Sequence, residues 1–115
     1  MKTLFLINDG PYGNERSYNA LRLAGTLAGR EGNEVKVFLI GDGSVCAKSG
    51  QKVPEGYYNV QVMLNKVIRQ GEVGVCGTCM TARGMDDGEL VGGAHRSTMA
   101  ELADWTEWAD KILVF

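Results

Sequence analysis

Three short apolar runs constrain this chain more than any other feature. TLFLI (3–7), EVKVFLI (34–40) and KILVF (111–115) are each of strand length and rich in large or β-branched side chains. TLFLI and KILVF hold almost no polar residue. Side chains of a strand point alternately to its two faces, so an unbroken apolar run implies burial on both sides. These runs predict buried strands, and helical patterns lie between them. Ala20, Leu23, Ala24, Leu27 and Ala28 recur at i, i+3, i+4, i+7 and i+8, an amphipathic stripe. Gly29 and Gly32 stand where that helix should stop. Val60, Met63, Leu64 and Val67 form a second stripe, closed by Gly71.

The remaining elements are shorter. Val73–Val75 predicts a third strand ending at Cys76, and residues 77–84 a short helix or turn. VGGAHR (91–96) has poor strand propensity and predicts a weak fourth strand. Thr98 and Glu101 match the S/T-x-x-E capping box, so a helix should begin near 98 with Met99, Leu102, Ala103 and Thr106 inward. Residues 43–56 carry Gly50, Pro54 and Gly56 and predict a loop. Strands alternating with helices imply right-handed β-α-β units. The expected fold is one α/β domain over residues 1–115, with roughly five mainly parallel strands and helices on both faces.

Several classes are excluded or disfavoured. A formal net charge of −2 offers no basic face for nucleic acid. No apolar run approaches the roughly 18 residues of a membrane span. MKTLFLIND breaks off at Asn8 and Asp9, too early for a secretory core of roughly 7–15 apolar residues. The expectation is a cytoplasmic protein whose three cysteines stay reduced. GPYG lacks the lysine and spacing of a phosphate loop, and no cofactor is indicated.

In a parallel α/β sheet the ligand site lies beyond the carboxyl ends of the strands. Three loops leave those ends: NDGPYG (8–13), GDGSVC (41–46) and CGTCMTARG (76–84). Convergence would bring Asp9, Tyr12 and Asp42 to the mouth of a pocket, although turn formation and helix capping explain the same residues. Cys76 would sit at a strand end before a helix, where free backbone N–H groups favour thiolate, the nucleophilic form. Its bland alternative is a small buried hydrophobe. Cys79, three residues on, would face the same way, in a C-x-x-C pair that a redox dithiol also shows. Arg83 falls two turns past Cys76, either to orient an anion or to pair with a carboxylate. A zinc site needs four ligands, or three with water, and one C-x-x-C supplies two. Cys46 and His95 are the only further thiol and imidazole, without zinc spacing, so no metal is expected. Trp105 and Trp108 flank the last helix's stripe, either as packing or as a subunit contact.

NDGPYG, GQKVPEGYYNVQVML, VCGTCMTARG and STMAELADWTEWADKILVF together resemble the DsrE/DsrF-like family, in particular its small stand-alone, YchN-like members. The resemblance runs along the whole chain in order. It implies a single parallel-sheet domain and assembly as a homotrimer or homohexamer. It also implies sulfur relay, in which a loop cysteine carries sulfane sulfur as a persulfide between donor and acceptor proteins. Counting back eight from Gly84 of the Arg-Gly pair puts that cysteine at Cys76. Cys79 matches a position that is not cysteine in TusD-type relay members, and Cys46 has no counterpart in the pattern. The expected function is a sulfur carrier or sulfurtransferase-like protein with Cys76 as nucleophile and Cys79 and Arg83 in support. The alternatives are a non-catalytic oligomer binding a small ligand and a Cys76–Cys79 dithiol redox protein.

Overall fold

The computed structural model describes residues 1–115. Its elements are β1 (Lys2–Ile7), α1 (Arg16–Ala28), β2 (Glu34–Leu39), α2 (Val60–Ile68), β3 (Glu72–Cys76), α3 (Gly77–Ala82), β4 (Ala94–Ser97), α4 (Met99–Trp108) and β5 (Lys111–Val114). Two 3-10 turns, Gly41–Ala47 and Asp87–Glu89, punctuate the connections. The first replaces part of the loop expected from residue 43. The five strands form one all-parallel sheet in the order β4-β3-β2-β1-β5. The chain steps one way from β1 to β4, then crosses back to place β5 on the far side of β1. Right-handed crossovers therefore put the helices before and after this reversal on opposite faces. No helix is long and apolar enough to cross a membrane.

Strand alternation builds two cores. Phe5, Ile7, Val35, Val37, Leu39, Val73 and Val75 point to one face and pack under Ala20, Leu21 and Ala24 of α1 and Val60, Leu64 and Val67 of α2. α1 is rotated slightly from its expected stripe, so Leu21 is buried while Leu23 is exposed. The other face holds a smaller cluster of Leu4, Phe38, Cys76 and Trp105. The Trp105 ring meets Phe38 edge-on, with centroids 6.1 Å apart. Such a pair adds about 1 kcal/mol beyond the area it buries.

α4 departs from its predicted orientation. Met99, Ala103 and Thr106 are exposed, and the inward residues are Leu102, Trp105 and Trp108. The capping box is half formed. Thr98 Oγ1 accepts the Glu101 N–H at 3.2 Å, but the Glu101 carboxylate turns to Ser97 and His95 instead of Thr98. That pull winds Trp105 onto the sheet. Lys36 then lies over both indoles, 5.1 Å from Trp105 and 4.4 Å from Trp108, so within the chain this tryptophan pair is packing.

β5 is also corrected. It is an edge strand rather than a buried one, because the reversal leaves nothing beyond it. Leu113 and Phe115 reach the larger core, while Ile112 and Val114 are 43% and 64% exposed on the face that α4 covers only in part.

Candidate functional site

The carboxyl ends of β1, β2 and β3 meet through backbone contacts. The Gly43 N–H donates to Asn8 O and Ile40 O, each at 3.0 Å, drawing the turn after β2 against the end of β1. A Cβ at Gly43 would stand 2.1 Å from Ile7 O, so only glycine permits this approach. The Gly41 N–H in turn donates to Cys79 Sγ at 3.1 Å, joining the second loop to the third.

Cys76 is the last residue of β3 and the N-cap of α3. It lines a cleft of about 290 Å³ with Gly77, Thr78, Arg96, Ser97, Thr98 and Met99. Its sulfur lies 3.3 Å from Thr78 Oγ1. Burial pushes the Cys76 thiol up, but hydrogen bonds from the Cys79 thiol, the Thr78 hydroxyl and the Cys79 and Thr78 amides outweigh it. The balance holds Cys76 below the ordinary thiol value. Cys79 moves the other way. Burial and the adjoining Cys76 sulfur raise it, and the Gly41 N–H and the Arg83 charge offset only part. One thiol of the pair is thus disposed to ionise and the other to keep its proton.

Cys46 belongs to neither role. It is fully buried, with its thiol directed at Asp9 O, 3.5 Å away. Burial pushes its pKa up to about 12, and a hydrogen bond with Ser17 recovers only part. The unfolded chain ionises this thiol near 9.0 while the fold keeps it protonated. Its contribution is complete below pH 9 and is lost as pH rises toward 12. Unfolding stability should therefore fall above pH 9 with a Cys46 component approaching about 1.4 kcal/mol per pH unit. Denaturant titrations of wild type and Cys46→Ala between pH 8 and pH 10.5 check this; parallel curves would refute it.

The other expected residues divide. Arg83 donates to Asp42 Oδ1 through Nε (3.1 Å) and Nη2 (2.7 Å), and through Nη1 to Cys79 O (3.1 Å). It is an ion-pair partner bracing the cysteine loop, with its guanidinium spent on Asp42. Asp9 and Asp42 line a second cleft of about 370 Å³ that Cys76 does not reach. The Gly41–Ala47 turn, through Asp42 and Val45, forms one wall of that second cleft. Tyr12 lines neither. At φ 71 its ring folds back onto Tyr57 and Tyr58, and its hydroxyl meets Gln51 and accepts the Val60 N–H at 3.1 Å. His95 is bound to the Glu101 carboxylate, which also accepts Ser97 Oγ at 2.7 Å, so it ties β4 to α4.

Sequence reading missed Arg96, Ser97 and Thr78. Arg96 is the cation that lines the Cys76 cleft, held by Thr81 Oγ1 at 2.6 Å and Asp87 at 3.3 Å. The pairing of β3 with β4 sets Cys76 beside Ser97, which brings Arg96 and Ser97 to the thiol. Thr78 stood inside the C-x-x-C itself, and the one sequence signal for Arg96 and Ser97 was position at the end of a glycine-rich segment of poor strand propensity. Gly77 completes the fit, since a Cβ there would come within 3.0 Å of Arg96 Nε and Ser97 O.

Comparison with known proteins extends along the whole chain. The model of the DsrE/DsrF-like family matches residues 1–115. An uncharacterised protein of Methanopyrus kandleri is 42% identical over 111 residues, covering 96% of this chain and 90% of that protein. Protein YchN of Escherichia coli K12 is 40% identical over 116 residues, covering 99% and 98%. The crystal structure of the E. coli protein superposes with a TM-score of 0.90 at 38% identity over the full length of both chains. A protein of unknown function from Methanobacterium thermoautotrophicum shares the fold, with a TM-score of 0.73 at 16% identity over 97% of each chain.

Proposed function

We propose, for a chain that belongs to the DsrE/DsrF-like family, that it carries sulfane sulfur as a persulfide on Cys76. One observation carries the reading: Cys76 alone among the three thiols is both lowered in pKa and placed at an open cleft. The family's general association with sulfur relay supports it. In the loading step the Cys76 thiolate attacks the outer sulfur of a donor persulfide, R–S–SH. A new S–S bond forms at Cys76, the donor S–S bond breaks, and the donor leaves as its thiolate. In the unloading step an acceptor thiolate attacks the outer sulfur of Cys76–S–SH, and Cys76 leaves as thiolate. The hydrogen bonds from Thr78 and the adjoining amides serve both steps, because Cys76 is the nucleophile of one and the leaving group of the other. Arg96 gives the cleft a positive wall for the charge of the bound sulfur.

The free thiols that this exchange needs persist in a reducing compartment, and we place the protein in the cytoplasm on that ground. Intact mass after brief exposure to a low-molecular-weight persulfide tests the carrier reading. A gain of about 32 Da at the earliest time points, mapped to the Cys76 peptide, is the expected result; an unchanged mass with native thiols would end it.

We also propose that the chain assembles with copies of itself. Ile112 and Val114 on β5 leave apolar side chains exposed on the thinly covered face of the sheet, where a second copy would bury them. Sedimentation equilibrium should return three or six chain masses, and a monomer at micromolar concentration would refute the assembly.

A further inference from the structure

We infer that Cys79 discharges the sulfur loaded on Cys76, releasing it as hydrosulfide and leaving a Cys76–Cys79 disulfide that a dithiol co-substrate then reduces. The activity is a dithiol-dependent reduction of persulfides, and it rests on the proposal that Cys76 takes up sulfane sulfur. A pure relay has no use for a second thiol packed beside the first, because that thiol would destroy the cargo.

The argument begins with placement. Cys79 is half-buried and packs with Cys76 against the smaller core. Its sulfur is pinned from behind by the Gly41 N–H at 3.1 Å, and its carbonyl by Arg83 Nη1 at 3.1 Å. The Gly41 N–H is a fixed donor from the neighbouring loop, aimed at a side chain that the relay reaction leaves idle, and Arg83 braces the backbone of the same residue. Before loading, burial first and the Cys76 sulfur second keep the Cys79 proton in place. Loading moves the ionised sulfur one bond outward, toward the cleft walled by Arg96 and Thr98. The repulsion on Cys79 weakens, while the Gly41 N–H and the Arg83 charge remain. The thiolate that was too costly beside Cys76–S⁻ becomes accessible beside Cys76–S–S⁻. The order of events is therefore built into the site: Cys76 is the nucleophile when empty, and Cys79 when Cys76 is loaded.

The chemistry balances. Cys79 Sγ attacks Cys76 Sγ, and the bond between Cys76 Sγ and the terminal sulfur breaks. The terminal sulfur takes the electron pair of that bond together with the Cys79 proton and departs as HS⁻. The two protein sulfurs are left at disulfide level. Two thiols of the dithiol co-substrate restore them by exchange and become its disulfide.

The test compares wild type, Cys79→Ser and Cys79→Ala after exposure to a low-molecular-weight persulfide without reductant. Intact mass and a sulfide-selective probe follow the products. Wild type should pass to about 2 Da below its starting mass, release one equivalent of sulfide, and yield a peptide joining Cys76 to Cys79. Both variants should stop at about 32 Da above, with the sulfur on Cys76 and no free sulfide. Dithiothreitol added after the reaction should return the wild-type disulfide to its starting mass, free for a second round. Wild type that holds its sulfur as stably as the variants would overturn this inference and leave the carrier reading standing. Sulfur found on Cys79 instead of a disulfide would also overturn it. Failure of all three proteins to gain sulfur would overturn both readings.

Discussion

Cys76→Ser is expected to abolish sulfur uptake, with a loss of at least about 1,000-fold in the rate of reaction with a persulfide donor. The reason is the nucleophile itself. A serine hydroxyl at neutral pH supplies no appreciable anion, and Thr78 and the amides of residues 78 and 79 cannot close a gap of several pKa units. The fold should survive. Cys76 is buried beside Leu4, Phe38 and Trp105, and serine there loses a few apolar contacts while keeping the hydrogen-bonding amides. A cost of about 1 kcal/mol is expected. Stopped-flow loading of wild type against pH adds a second readout. The rate should rise with pH through a midpoint below the ordinary thiol value of 9.0, because hydrogen bonding lowers Cys76. A rate in the variant within tenfold of wild type, or a midpoint above 9.0 in wild type, would remove Cys76 from the chemistry.

Gly43→Ala is expected to be the most damaging single methyl group in the site region. The added Cβ would lie 2.1 Å from Ile7 O and 2.9 Å from Ile7 C, and neither atom has freedom to retreat. Ile7 O accepts the Ile40 N–H, and Ile7 itself is fully buried in the larger core. Relief requires the Gly41–Ala47 turn to lift, which breaks the Gly43 N–H contact with Asn8 O and withdraws the Gly41 N–H from Cys79. Forced backbone movement of this kind costs about 3 kcal/mol, a large share of the roughly 5–15 kcal/mol that holds a domain folded. Gly13, in the first of the three loops, has nothing within 4 Å of its would-be Cβ and serves as the control. Urea unfolding should place Gly43→Ala far below wild type and Gly13→Ala within about 1 kcal/mol of it. Near-equal midpoints for all three would mean that the turn does not seat against β1 as described.

Element order and the choice of loops were legible from residues alone because both depend on local pattern. TLFLI, EVKVFLI, the alanine–leucine stripe of α1 and the C-x-x-C after a strand each declare themselves within a few residues. A chain that alternates such segments makes a parallel sheet, and the sheet's carboxyl edge then gathers the loops that contain Cys76, Cys79 and Asp42. Lateral order was not local. KILVF is as apolar as TLFLI, yet β1 lies between two strands and β5 at an edge, because the return from β4 passed over the whole sheet. The α4 stripe misled for a related reason. Burial of its tryptophans against Phe38 and Lys36, with Glu101 drawn to β4, outweighed the register suggested by Met99 and Ala103.

The sequence alone settled which residues could do chemistry: three thiols, one imidazole, and a C-x-x-C behind a buried strand. Tertiary structure decided what each of them does. It sealed Cys46 in the core, spent Arg83 on Asp42, and bound His95 to Glu101. It also brought Arg96 and Ser97 from a strand of poor propensity to the rim of Cys76. Periodicity is a property of neighbours along the chain. Ionisation, reach and solvent access depend on groups that meet only when distant segments compete for the same buried surface.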